Sequence, residues 1–257
     1  MKFNIHLKLL LNLPLLMVVA CESVDSDDIR TSGIYASINV EANGNGNTLV
    51  KTRLTVGGVL SNTDLELEQG DQLVASASGG ASFVMREDKE FLGGVEYKAT
   101  FLFDTENTRF NVEFNRPSGV SAPDSFVIMP APVSLVTPTV GQTFKRSENI
   151  SISWTPVSNN MSKIKVYSSR ASCTDANGQI ITQSLNSNSV QFEFDPGGVT
   201  RVASSYIAAR ALSDPAASCV VSLRIVRTQK GVIDRAFGEG GRISANRSDT
   251  VDIRVVP

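Results

Sequence analysis

Histidine is almost missing from this chain. The single one, His6, sits in the N-terminal segment, and none occurs from Cys21 to Pro257. That excludes Ser-His-Asp and Cys-His nucleophiles, a histidine general base and a histidine-ligated zinc from everything beyond that segment. Cysteine is nearly as scarce: Cys21, Cys173 and Cys219 are the only three, and they lack the clustered partners of a thiolate metal site. The one tryptophan, Trp154, falls in a strand pattern that places it in a core rather than on a sugar-stacking surface. No apolar run approaches the roughly 20 residues that span a bilayer.

What is present begins with an address. Lys2 and Lys8 precede an apolar run, Leu9 to Val19, broken only by Asn12 and Pro14, which reads as a secretory signal. It ends in Val18-Val19-Ala20-Cys21, which resembles the lipobox of bacterial lipoproteins. That resemblance implies removal of residues 1–20, a diacylglycerol thioether on Cys21 and acylation of the new amino group. Each buried methylene contributes about 0.8 kcal/mol, so two or three chains anchor a small protein to a membrane. Glu22, where inner-membrane lipoproteins carry aspartate, implies the outer membrane of a bacterial envelope.

With Cys21 lipidated, Cys173 and Cys219 remain as an even pair in an oxidising compartment, and a disulfide is the expectation. Closing a loop of that length contributes about 4 to 5 kcal/mol in the chain-entropy model. Charge is uneven: residues 21–131 carry 8 Lys+Arg against 17 Asp+Glu, and residues 132–257 carry 14 against 9. The membrane-proximal half is therefore acidic and the distal half basic, suited to mutual docking or to meeting an anionic polymer.

Beyond residue 20 the pattern is all β. Residues 21–32, with Asp25, Asp27 and Asp28, read as an acidic tether. From Gly33, Ile34, Ala36, Ile38 and Val40 alternate with polar residues, the Asn43–Asn47 run supplies a turn, and Val50, Thr52, Leu54 and Val56 resume the period of two. The pair predicts a hairpin. Val95, Tyr97, Ala99, Phe101 and Phe103 form the strongest buried face, and after the 104–107 turn Phe110, Val112 and Phe114 read as its partner strand. Seven or so short strands without helical periodicity predict an antiparallel sandwich over 33–131. Met129-Pro130-Ala131-Pro132 is the domain boundary, since alternate prolines stiffen the chain and end strand pairing. In 132–257, Ile150, Ile152 and Trp154 followed by Pro156, and later Tyr206 to Ala211, resemble fibronectin type III and related immunoglobulin-like domains. The resemblance covers 150–211 and implies a second sandwich; 230–246 reads as an extra loop before a final strand.

The candidate chemistries are few. Glu66 with Glu68, and Glu193 with Asp195, are carboxylates two apart, the arrangement a glycoside hydrolase would need on one face; the pattern fits solvent-facing strand residues. Ser162 to Lys165 has the letters of a Ser-x-x-Lys acyl-enzyme, but on a strand the two side chains point apart. The 43–47 and 104–107 turns hold oxygen ligands without the spaced carboxylates of a calcium loop. Gly238 to Gly241 has no helix after it to hold a phosphate. Arg224, Arg227 and Arg254, with Lys230, Arg235, Arg242 and Arg247 nearby, form the candidate polymer-binding set. No cofactor or metal motif is found, and an exported chain is not expected to meet nucleic acid. The expected function is a lipid-anchored, non-enzymatic binding or spacer module for an envelope protein or glycan. The alternatives are polymer binding by the C-terminal domain and, behind it, a carboxylate-dependent hydrolase.

Overall fold

The computed structural model describes residues 23–42, 44–68, 70–90, 94–145, 147–155, 162–174, 177–184, 191–194, 200–203 and 218–257. The signal segment, Cys21, Pro156, Asp195 and the 206–211 run lie outside the described residues. Among the described residues there are β-strands and two short 3-10 turns, and no α-helix. The all-β class is thus the observed one.

The first half opens with β1 (Ser23–Asp25), β2 (Ile34–Ala42), β3 (Thr48–Val56), β4 (Asp64–Glu66), β5 (Gln72–Ala77) and β6 (Ser82–Val84). It continues with β7 (Arg86–Glu90), β8 (Gly94–Phe101), β9 (Arg109–Asn115) and β10 (Ala122–Ile128). β2 and β3 form the expected hairpin, in antiparallel register from Ile34 opposite Val56 to Ala42 opposite Thr48. Their alternation is strict because one face is buried: Ile34, Ala36, Ile38, Val40 and Ala42 are all 2% exposed or less.

The second half holds β11 (Leu135–Thr137), β12 (Thr143–Lys145), β13 (Asn149–Trp154), β14 (Ser162–Thr174), β15 (Ile180–Ser184), β16 (Gln191–Phe194) and β17 (Thr200–Ala203). Two long strands close the chain, β18 (Ser218–Lys230) and β19 (Gly241–Val256).

These long strands unite the two halves. β19 pairs along one edge with β18; along its other edge, residues 241–247 pair with β2 in parallel and residues 254–256 pair with β12 in parallel. A single sheet therefore runs β4-β3-β2-β19-β18-β14 and forms one wall of two cores. Over its first part lies the β10-β9-β5-β6 sheet, enclosing Ile38, Leu54, Phe101, Phe110 and Phe114. Over its second part lies the β11-β13-β17 sheet, enclosing Ile150, Ile152, Trp154, Val221, Leu223 and Ile253. Each such side chain contributes about 1.5 to 3 kcal/mol on burial, and edge-on contacts of Phe101 with Phe110 and Phe83, at 5.2 and 5.1 Å between centroids, tighten the first core.

The structure corrects three expectations. The sandwiches are not purely antiparallel, because β1/β4 joins β19/β2 and β19/β12 as a parallel pair. The segment expected to be a tether is docked: β1 pairs with β4, Ser26 and Thr31 are buried, and the Arg116 guanidinium donates to the Ile29 carbonyl at 2.7 Å and to that of Ser26. The 230–246 stretch is no spare loop either, for Phe237, Ile243 and Ala245 belong to the first core although they lie beyond the proline boundary. Phe237 stacks on Phe114. Glycine permits this closeness, since a Cβ on Gly231 would run into the Phe126 carbonyl and one on Gly238 into that of Ser32.

Candidate functional site

The outer face of the shared sheet carries the site. On β2, β19, β18 and β14 the period of two that buries apolar side chains turns the intervening residues outward. Register aligns them in rows: Lys163, Thr228, Asn246 and Glu41 form one, and Lys230, Ser244 and Asn39 the next. Where short side chains meet across strands they hydrogen-bond. The Thr228 hydroxyl donates to the Asn246 side-chain carbonyl at 2.7 Å, Asn246 Nδ2 donates to Asn39 Oδ1, and Arg242 Nε donates to Ser37 Oγ at 3.1 Å.

The result is a groove of about 650 Å³ with this polar ladder along it. Five cations line it, Lys163, Lys165, Arg224, Lys230 and Arg242, against one carboxylate among its described lining residues, Glu41; in the register Glu193 of β16 also stands opposite Lys165. Glu41 is itself engaged by Lys51 at 3.6 Å, from the neighbouring strand. Arg224 Nη2 donates to Ser248 Oγ at 3.1 Å, and its guanidinium lies 5.9 Å from the Tyr167 ring centre. These are fixed positive charges over hydrogen-bonding groups. Nothing among them is a nucleophile poised beside a base, so the arrangement suits holding an anion.

The candidate arginines separate. Arg224 lines the groove. Arg254 is exposed on the same face, beyond the groove, opposite Val220. Arg227 is the correction: it is 0% exposed, turned inward by the strand period that turns Arg224 outward. Its guanidinium donates to the carbonyls of Pro132 at 2.5 Å, Ala131 at 3.2 Å and Thr155 at 2.8 Å. Directly opposite, buried Arg247 donates from Nε to the Pro130 carbonyl at 2.8 Å. Burial lowers the pKa of both from the ordinary arginine value.

Sequence reasoning missed Lys163 and Lys165 as groove residues, together with Ser37, Asn39, Ser244 and Asn246. The two lysines lie within a stretch whose Ser-x-x-Lys letters drew notice instead; Ser162 is buried while Lys163 is exposed. The available signal was the same-parity run of polar and cationic residues on three successive long strands.

The paired acids do other work. Glu66 accepts from Lys89 Nζ at 2.6 Å, a bond that holds its pKa below the ordinary carboxylate value, and Glu68 is exposed beyond the end of β4. Glu193 lies in β16, and Asp195 lies outside the described residues. The 43–47 and 104–107 turns do meet, since Gly46 N–H donates to Asp104 Oδ2 at 3.3 Å. The same oxygen lies 3.6 Å from Arg247 Nη1, so a cation already faces the carboxylate a metal would need. Among the described residues no group of three metal-ligating side chains is gathered.

Cys173 and Cys219 are buried and directly opposed on β14 and β18. The pair lies near 2.7 Å apart and is not a disulfide, which corrects the expected bridge; an S–S bond is about 2.05 Å.

No protein-family model and no curated protein matches the chain. Among solved structures it is similar to the Yersinia pseudotuberculosis adhesin InvE, at 15% identity over 87% of this chain and 59% of that one, with a TM-score of 0.24. The IG1+IG2 portion of DIP-gamma is similar at 6% identity over 88% and 99%, with a TM-score of 0.24. Fibronectin(III)-like modules of Clostridium thermocellum CbhA are similar at 11% identity over 86% and 90%, with a TM-score of 0.20. The chain spans 59% of the adhesin's length. TM-scores of this size carry no argument about function, and the all-β sandwich assignment rests on the strands and cores themselves.

Proposed function

We propose that this protein is a non-enzymatic binding module of the bacterial envelope, anchored through a lipid on Cys21 and presenting the outer face of its shared sheet to an anionic envelope component. The observation that carries the reading is the groove whose described lining holds five cations and one already engaged carboxylate, on a sheet continuous across both cores. A rigid, preformed face loses little conformational entropy on binding. The outer membrane is the favoured location, from Glu22 after the lipobox cysteine.

The test has two arms. Cys21→Ser should abolish incorporation of labelled fatty acid and release the protein from membranes. The full chain, solubilised in detergent, should be retained on isolated envelope fragments at low salt, and retention should fall with Lys165→Glu plus Arg242→Glu. Retention that ignores both salt and these reversals would sink the binding reading.

A further inference from the structure

The cations of the groove are not scattered; they are stepped. Along the β14/β18 and β18/β19 registers, Arg224 sits opposite Tyr167, Lys165 opposite Val226, and Lys163 opposite Thr228. Lys230 follows opposite Ser244, and Arg242 follows opposite Ser37. Each row lies two strand residues beyond the last, so one positive charge is met about every 6.7 Å over four steps, roughly 27 Å in all. The five charges sit on three adjacent strands, β14, β18 and β19, and form a track running along the strands.

We propose that this track binds a linear acidic polysaccharide lying along β18, its anionic groups stepping from Arg224 through Lys165, Lys163 and Lys230 to Arg242. The inference rests on the binding-module reading and names its ligand class. A repeating line of cations matches a ligand whose charge also repeats, so a single small anion would use only one step. Between the charges lie hydroxyl and amide side chains, Ser244, Asn246, Asn39 and Thr228, which match sugar hydroxyls as donors and acceptors. A single-stranded nucleic acid would need successive aromatic platforms for its bases, and the lining offers one ring, Tyr167, at the end of the track. An anionic bilayer would favour exposed apolar side chains around the cations, whereas Ile38 is buried and Val226 lies within the polar rows.

The experiment compares polygalacturonate with fully methyl-esterified polygalacturonate, the same backbone without its charge, as ligands for the full chain in detergent. Polygalacturonate should bind, weaken as salt rises, and bind about tenfold or more weakly to the Lys165→Glu plus Arg242→Glu variant. Ser244→Phe, which obstructs the track without altering charge, should weaken it as well. A thermal melt matching that of the parent shows that each variant is folded. Equal binding of the esterified polymer, or indifference to both variants, would overturn the proposal. Tighter binding of oligodeoxythymidylate or of phosphatidylglycerol vesicles than of polygalacturonate would overturn it in favour of those ligands. If polygalacturonate fails while envelope fragments are still retained through Lys165 and Arg242, the ligand class is wrong and the binding module stands. If the fragments fail too, both readings fall.

Discussion

Arg227 and Arg247 lie directly opposite each other on β18 and β19, both turned into the protein, and between them they hydrogen-bond the carbonyls of Pro130, Ala131 and Pro132. Two like charges side by side are normally unfavourable. Here they face a stretch whose two prolines have no N–H and cannot join a ladder, so its carbonyls need donors from elsewhere. Asp104 balances the charge near Arg247 at 3.6 Å. The proline boundary is thereby fastened to the shared sheet.

Arg227→Ala should destabilise the fold by about 3 to 5 kcal/mol, because the carbonyls of Ala131, Pro132 and Thr155 lose their Arg227 donor inside the protein. Arg224→Ala, on the outer face of the same strand, should cost less than about 1 kcal/mol. Urea unfolding of the two variants checks the contrast; equal losses would refute the inward assignment of Arg227.

Tyr97 gives the fold an alkaline limit. Its hydroxyl donates to the Leu65 carbonyl at 3.1 Å and accepts from Leu67 N–H at 3.0 Å, and burial raises its pKa above the ordinary tyrosine value. Above pH of about 10 the unfolded tyrosine releases its proton while the folded one keeps it, so stability falls with rising pH by at most about 1.4 kcal/mol per pH unit. Below that range Tyr97→Phe should be less stable by about 1 to 2 kcal/mol for its lost hydrogen bonds. Between pH 10 and 12 the gap should narrow, as followed by chemical unfolding at each pH.

Cys173 and Cys219 should close on mild oxidation. Directly opposed residues on antiparallel strands have Cα atoms about 4.5 to 5.5 Å apart, within the range a disulfide spans. With Cys21 replaced by Ser, two thiols should titrate in the denatured protein before treatment with oxidised glutathione and none after it. The gain should approach about 4 kcal/mol in the chain-entropy model. Two thiols persisting after oxidation would show that the strands hold the sulfurs apart.

Gly231→Ala should destabilise by about 1 to 3 kcal/mol. Its Cβ would press on the Phe126 carbonyl, with Val127 Cβ at 2.7 Å and Ile243 Cγ2 at 2.9 Å. Gly33→Ala makes the comparison, because a Cβ there would meet Ile29 Cγ2 at an ordinary 3.6 Å and its backbone does not lie in the left-handed region. A thermal melt of the Gly231 variant matching the parent would show that 231–240 is not anchored as described.

Much of the local structure was legible. The β2/β3 hairpin, the buried faces of Val95 to Phe101 and of Phe110 to Phe114, and the inward Ile150, Ile152 and Trp154 all follow from a period of two with turn residues between. The expected pairing of β8 with β9 does not hold, since β8 pairs with β3 and β7, and β9 with β5 and β10. The parity rule also separated Arg224 from Arg227, three apart on one strand and therefore on opposite faces, and grouping them by composition overlooked it. Lys163 and Lys165 were harder, because nothing local says that β14 lies beside β18.

By itself the sequence determined that the pattern beyond residue 20 is β, which face of each well-patterned strand is apolar, that histidine chemistry is absent beyond residue 20, and that the two halves carry opposite net charge. Tertiary structure decided that Gly241 to Arg247 return to pair with Ala36 to Ala42, that the expected tether and loop pack into the first core, and that five cations from β14, β18 and β19 fall into line. The physical reason is one of range. Alternation is set by neighbours two residues apart, whereas the pairing of β19 with β2 joins residues about two hundred apart through hydrogen bonds that any backbone can make. Only the shapes of the two completed cores select that partner.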